Sequence, residues 1–413
     1  MGAGRGRGAI FKRFARRLLK NDKNTGNTKA EKFTWRCFFM PKVAVVFGGK
    51  SNENEISILT GIFVMKVLEG SEFTPVPVYL HTDGELYSSA KMQELSTYQS
   101  GKISPQDRVI FYGKTLYRLQ SQKGKIKKIT PVDVLLNCCH GGLGEGGGVS
   151  SLAAFNEIPF ASPDILSSAV FMDKDVTKIV AKGLGVPTVE YIRVGEREYE
   201  KRGAFLLKSI QRRLKYPVVI KPVHLGSSIG IVKANDEEEV KKGIETGFTL
   251  DDRLIIERYL TEKLDVNCAA YSVKGEIFVS QPQAAFGDGI YSFDEKYIKR
   301  KKDVGVRGEN GQTQGDSLPV EIADKIRSYT KTIYKRLNMQ GVVRMDYLVS
   351  GKQVYLCEVN TVPGSLAYYL FCERIMEART FFCELLRDAL ERAKTVKRTL
   401  TTGILQKVDL VRK

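Results

Sequence analysis

Apolar positions along the chain switch between short continuous runs, period-two alternation and helical spacing, and the switches mark out its elements. Lys42-Val-Ala-Val-Val-Phe47 reads as a buried strand, closed by Gly48-Gly49-Lys50-Ser51, with a helix starting between Ser51 and Glu55. Strand, glycine turn and helix are the opening of an open α/β sheet, whose ligands collect at the carboxyl ends of the strands. A second apolar run, Val132 to Cys138, leads into a glycine-rich stretch from His140 to Gly148. Helical spacing predicts a helix over Met172 to Gly185. Tyr216 to Pro222 then reads as a strand carrying Lys221, followed by the loop His224 to Gly230 and a strand at Ile231 to Lys233. Leu254 to Leu260 is an apolar strand running into a connector. Val320 to Leu337 is predicted helical, as is the chain past Thr380. Between these, Phe286 to Asp316 has no apolar period and reads as a mobile lid or a plain surface loop.

Gly341 to Gly364 is predicted to be two strands about a turn at Ser350-Gly351-Lys352. Side chains alternate faces along a strand. A three-residue turn pairs Val349 with Gln353, setting Arg344 opposite Glu358 and Asp346 opposite Leu356. Asp346, Glu358 and Asn360 then share a face beside Arg344. Two carboxylates about 4 Å apart repel by roughly 4 kcal/mol at an effective dielectric near 20. A retained proton, an intervening arginine or a divalent cation would relieve this. An all-oxygen donor set suits Mg²⁺ held jointly with substrate phosphates. A solvated strand face with an Arg344–Glu358 pair is the plain alternative.

Two stretches could supply the phosphate site. A strand, glycine-serine loop and strand with Lys221 at its root can fold its amides over a triphosphate; a surface hairpin would look similar, but Lys221 follows an apolar run without obvious structural need. The connector after Leu254 can offer backbone groups to an adenine edge. Glu53 and Glu55 fall near a helix start, where acidic side chains are favoured, which accounts for one of them better than for both.

The 413 residues allow two or three domains. Hydrophobic content of 42% and charged content of 27% are ordinary for a globular protein. Seven cysteines without CxxC spacing exclude a disulfide framework or zinc site and fit a reducing cytoplasm. The net charge of +18 raises nucleic-acid binding, but residues 1–39 alone carry 11 Lys/Arg against Asp22 and Glu31, half the excess. That leader reads first as an extension ahead of Met40, and otherwise as a transit peptide or a basic arm. The basic tail, 394–413, reads as a solvated face. No apolar run reaches the roughly 18 residues of a membrane span.

The order of these parts resembles the D-alanine–D-alanine ligases, an ATP-grasp family. The stretches VAVVFGGKSNENEIS, NCCHGGLGE, FMDKDVTK, YPVVIKPVHLGSSIGIVK, LIIERYL, DEKY, GVVRMDY and EVNTVPGS follow the family's order from about Lys42 to Leu370. The resemblance implies an α/β, three-part ATP-grasp architecture: an N-terminal substrate domain at 40–159, a central subdomain at 160–258, and a C-terminal subdomain at 259–393. The nucleotide would lie between the last two. Lys174 and Lys221 would hold ATP phosphates under the Gly226–Gly230 loop, Ser228 included. Glu257, Tyr259 and Leu260 would line the adenine site, with Asp265 at the ribose. Asp346, Glu358 and Asn360 would hold Mg²⁺ or Mn²⁺. Glu53 would bind the first substrate's ammonium and join Ser227 and Tyr297 in a set tying the lid to the site. Arg344 and the Gly364 amide would stabilise an oxyanion, and Lys296 would reach the transferred phosphate. His140, Tyr369 and Leu370 would flank the acceptor.

The implied reaction converts one D-alanine to an acyl phosphate with ATP, then joins it to a second for peptidoglycan synthesis in the cytoplasm. Phosphoryl transfer asks mainly for neutralised charge and alignment, and a closing lid keeps water out. A homodimer is expected, with small-molecule partners, no specific nucleic acid and no membrane span. Two positions depart from the family. Gly146 stands where an acidic residue usually follows the loop glutamate, and Tyr369 stands near a common serine. Both lie on the acceptor side, so an ATP-grasp ligase with another acceptor amino acid is the alternative. A nucleic-acid-binding protein would instead bind without Asp346 and Glu358 and lose binding with residues 1–39.

Overall fold

The computed structural model describes residues 40–120, 124–284, 318–395 and 402–404. The leader, the Phe286–Asp316 loop with Lys296 and Tyr297, and most of the tail lie outside the described residues. The first sheet has seven strands: β1 (Lys42–Gly48), β2 (Thr74–Leu80), β3 (Leu86–Tyr87), β4 (Arg108–Tyr112), β5 (Thr115–Gln120), β6 (Lys125–Pro131) and β7 (Val134–Asn137). Their order is β6-β5-β4-β3-β2-β1-β7, with β1 parallel to β2 and β7 and the remaining pairs antiparallel. Val43 to Phe47 are fully buried, as expected of a strand covered on both faces. Helix α1 (Asn54–Leu68) packs close behind β1. At Gly61 a Cβ would fall 2.4 Å from the Phe47 ring, so only glycine permits this approach.

The second sheet, antiparallel, is β8 (Tyr191–Gly195), β9 (Val218–Pro222), β10 (Val232–Ala234) and β11 (Arg253–Arg258), ordered β10-β9-β11-β8. Before it come α2 (Ile165–Met172) and α3 (Lys174–Gly183), and one face is covered by α4 (Glu196–Arg213) and α5 (Glu237–Phe248). The helix expected over Met172 to Gly185 breaks at its start. Asp173 is extended and its carboxylate accepts from the Val176 N–H at 3.0 Å, so it caps α3 instead of continuing α2.

The third sheet contains β12 (Leu264–Val273), β13 (Glu276–Val279), β14 (Gln283–Ala284), β15 (Val342–Ser350) and β16 (Gln353–Asn360), ordered β13-β12-β15-β16, with β14 also on β12. Helix α6 (Val320–Arg336) packs on it. Helix α7 (Ile375–Ala393) returns to α1, where Phe381, Phe382, Leu385 and Leu386 share a core with Met65 and Leu68. The β15–β16 register differs from expectation. Gly351, at φ +56°, opens a turn of two residues, so Ser350 pairs with Gln353. Tyr347 faces Leu356 but Asp346 faces Glu358, leaving Cys357 as the extra residue of a β-bulge. Arg344 therefore lies opposite Asn360, not Glu358, and Asp346 directly opposite Glu358.

Candidate active site

Glu53 precedes α1 at φ −106°, and its side chain does not cap the helix. It accepts instead from the Ser227 hydroxyl in the loop after β9. A Cβ on either Gly141 or Gly226 would come within 2.7 Å of the Glu53 Oε2. Three stretches far apart in sequence thus converge on one carboxylate, and two of them need glycine to do so. Glu55 is the residue that lies exposed in the first helical turn, so the helix-dipole account suits it and not Glu53. Ser227 and Ser228 both have positive φ, 50° and 61°, turning the loop tightly at that point.

Beside Glu53, the glycine stretch after β7 is tied to the segment following β16. The Gly141 N–H donates to Glu145 Oε2 at 2.8 Å, and the Val362 N–H to Glu145 Oε1 at 3.0 Å. The Thr361 hydroxyl lies 3.3 Å from the same Oε1. Burial pushes the Glu145 carboxyl up to about 7 against these bonds. His140 is buried and spends both ring nitrogens internally. Its Nδ1 lies 2.6 Å from the Val362 carbonyl and its Nε2 2.8 Å from Thr60 Oγ1. The carbonyl can only accept, so Nδ1 carries the proton and Nε2 accepts from Thr60. Burial lowers the imidazole to about 4, keeping it neutral. Thr60 Oγ1 accepts in turn from the Ser365 N–H at 3.3 Å. Gly364 is therefore bracketed by residues held from α1 and the glycine stretch. After it, Ser365, Leu366 and Ala367 all have φ near +50°, three L-residues in the left-handed region. Leu370 is buried in the core and does not line an open surface, whereas Tyr369 is half-buried.

On the second sheet, Lys221 pairs with Ile255 and Glu257 is two residues along on the same face. Glu257 is clamped by two ammonium groups: Lys178 at 2.7 Å from Oε1 and Lys221 at 2.6 Å from Oε2. Burial alone would raise this carboxyl, but the two lysines pull it down to about 2. Lys221 also approaches Cys357 Sγ at 3.9 Å, which brings β9 against the bulge on β16 just before Glu358. Burial raises the Cys357 thiol to about 11, so it stands there uncharged. A backbone bond from the Leu356 N–H to the Pro187 carbonyl, 2.8 Å, ties β16 to the segment between α3 and β8. Lys174 donates from Nζ to the Leu225 carbonyl, placing it against the glycine-serine loop. Tyr259 is half-buried with the Lys233 ammonium 4.3 Å from its ring centroid, and Leu260 is half-buried beside it. Asp265 is engaged by Lys263 at 2.7 Å.

On the third sheet Asp346 is gripped by the Arg344 fork, Nε to Oδ1 at 2.7 Å and Nη2 to Oδ2 at 2.8 Å. Asn360 donates to Oδ2 at 3.1 Å, and Arg344 Nη1 to the Tyr369 hydroxyl at 3.2 Å. With two acceptor positions per carboxylate oxygen, Oδ2 is filled and Oδ1 retains one. Asn267 on β12 pairs in register with Asp346, extending this polar face. Of the other feature-bearing residues, sequence reasoning missed Lys178, Glu145, Thr60 and Asn267. Lys178 is one turn after Lys174 on a predicted helix, a legible signal; Thr60 and Asn267 gain meaning only from tertiary pairing.

Comparison with known proteins bears on this geometry. The profile of the D-ala D-ala ligase N-terminus matches residues 42–163, and that of the D-ala D-ala ligase C-terminus matches residues 180–391. A D-alanine–D-alanine ligase of Nitratiruptor sp. is 34% identical over 338 residues, covering 79% of this chain and 89% of that protein. Among solved structures, the D-alanine-D-alanine ligase from Coxiella burnetii aligns with a TM-score of 0.69 at 21% identity, over 86% of this chain and 95% of that one. The VanG D-Ala:D-Ser ligase from Enterococcus faecalis aligns at 0.67 and 24%, over 86% and 99%. The three sheets accordingly form the ATP-grasp architecture.

Proposed function

The chain belongs to the D-alanine–D-alanine ligase family, and from that we propose that it joins two D-alanine molecules at the expense of ATP, feeding peptidoglycan synthesis. The observation that carries the reading is the meeting of Lys221 with the bulged strand that bears Glu358. Lys221 on the second sheet and Glu358 on the third would then meet one substrate, the lysine at phosphate and the acid at the cation. ATP supplies the phosphoryl group that activates the first carboxylate, and a divalent cation offsets phosphate charge.

The residues fit both groups. Lys174 and Lys221 would face the phosphates, and Ser228 lies in the loop that would cover them. Asp346 and Glu358, opposite each other, with Asn360 beside them, form the all-oxygen donor set that suits Mg²⁺ or Mn²⁺. Asp346 would contribute its Oδ1, since Arg344 and Asn360 occupy Oδ2. Glu53 would hold the first substrate's ammonium, and its bond to Ser227 couples that substrate to the covering loop. Arg344 and the Gly364 amide would lie by the developing oxyanion, with Gly364 fixed by the contacts of its neighbours Val362 and Ser365. Lys296 and Tyr297 complete the proposed set.

The acceptor is the finer question. Tyr369, hydrogen-bonded to Arg344, would put a phenol at the acceptor side, which supports a second reading with an acceptor other than D-alanine. The free cysteines among the described residues fit a reducing cytoplasm, and a homodimer belongs to the same reading. Incubating the full chain with ATP, Mg²⁺, D-alanine and a panel of D-amino acids, followed by separation of the dipeptides, tests this. D-alanyl-D-alanine as main product supports the first reading, a mixed dipeptide supports the second, and no dipeptide with any acceptor rejects both.

A further inference from the structure

Helix α3 presents lysines one turn apart, Lys174 and Lys178, on one face. Lys174 turns to the glycine-serine loop, whereas Lys178 goes inward and is among the largest fully buried side chains. Its ammonium is held by Glu257 Oε1 at 2.7 Å and by the Val189 carbonyl at 3.4 Å, and sits 5.1 Å from the Tyr191 ring centroid. A buried lysine is costly unless its charge and donors are matched, and these partners come from two stretches of chain, the strand bearing Glu257 and the Val189–Tyr191 segment. Lys221 is placed differently. One of its three donors goes to Glu257 and a weak one to the Cys357 thiol, on the strand that bears Glu358.

A carboxylate held by Lys221 alone would keep that lysine from a phosphate, because releasing it would leave a bare buried charge. A carboxylate that already has Lys178 can let Lys221 turn. We propose that Lys178 is a positioning residue for the nucleotide: it holds Glu257 as a satisfied anion, so that Lys221 is shared with the phosphates. This rests on the ATP-dependent reading above and extends it to a residue with no direct place in the chemistry. The Tyr191 hydroxyl donates to Asp175 at 2.7 Å, and among the described residues the carboxylate paired with the Lys178 ammonium is Glu257.

The test is nucleotide affinity, measured by calorimetry with a non-hydrolysable ATP analogue and Mg²⁺ on the full chain, alongside steady-state kinetics. Lys178→Met is expected to weaken binding roughly tenfold or more, about 1.4 kcal/mol, raising KM for ATP more than it lowers kcat. Lys178→Arg should recover most of the affinity. Lys178→Gln, which keeps a donor for Glu257 without the charge, should fall between the two. If Lys178→Met does not fold, Lys178→Gln is read in its place: a KM for ATP raised more than kcat is lowered supports the assignment, and wild-type affinity overturns it. Wild-type affinity in a folded Lys178→Met, or no recovery in Lys178→Arg, also overturns it. Wild-type protein that binds no nucleotide at all would reject the ATP reading instead, a distinct outcome.

Discussion

Glu53 shows how far a single residue can be read in advance. The helix dipole suits both glutamates near the helix start, so only the family resemblance singled out Glu53. The physical reason comes from the third dimension, where Gly141 and Gly226 bring two loops against the Glu53 carboxylate. Gly141→Ala should therefore force that carboxylate aside and raise KM for D-alanine by an order of magnitude or so, with little change in ATP affinity; equal losses for both substrates would count against it. Glu145 and His140 allow a sharper test, since their shifts run in opposite directions. The Glu145 carboxyl is raised from 4.5 to about 7, so its contribution to stability is full below about 4.5 and is lost as pH rises toward 7. His140 is lowered from 6.5 to about 4, so its contribution is present above 6.5 and lost as pH falls toward 4. Between about 4.5 and 6.5 the two slopes offset each other. In thermal melts across that window, Glu145→Gln should leave a stability that rises with pH, and His140→Gln one that falls. Parallel profiles for the two variants would show that these groups do not carry the shifts.

At the scale of elements, the two strands of the C-terminal ribbon were legible from alternation, but their register was not. Nothing in the spacing distinguishes a two-residue from a three-residue turn at Ser350-Gly351-Lys352, and a bulge leaves no mark in the pattern. In a regular ladder after the observed turn, Asp346 would face Cys357 and send Glu358 to the other side. The bulge returns Glu358 to the face of Asp346. The turn depends on Gly351, at φ +56° with nothing near its Cβ position. Gly351→Ala should cost about 1 kcal/mol in urea denaturation from backbone strain alone, and a neutral result would mean the turn relaxes to another type. The break at Asp173 was equally hidden. Apolar spacing runs through it, and only the cap geometry separates α2 from α3 and aims the two lysines of the second helix differently.

For the whole molecule, the order of strands, glycine loops and acids along the chain was enough to anticipate three parts and the family they belong to. What it could not give is how those parts meet. The contacts that join them are a lysine against a bulge, a histidine against a carbonyl 222 residues away, and a glutamate against the amide of that same residue, Val362. Each joins residues far apart in the chain, where no periodicity connects them. The setting of Tyr369 is illegible for the same reason, since its hydrogen bond with Arg344 forms only when that residue arrives from β15. The account as a whole requires that the acids of the ribbon act on the phosphates held by the lysines of the second sheet. Phosphate release by the full chain, with ATP and D-alanine and with or without Mg²⁺, measures this directly when wild type and Glu358→Ala are compared. Release that needs both D-alanine and Mg²⁺, and falls by on the order of a hundredfold or more in Glu358→Ala, is the predicted result; a variant that keeps wild-type, Mg²⁺-dependent turnover would contradict it.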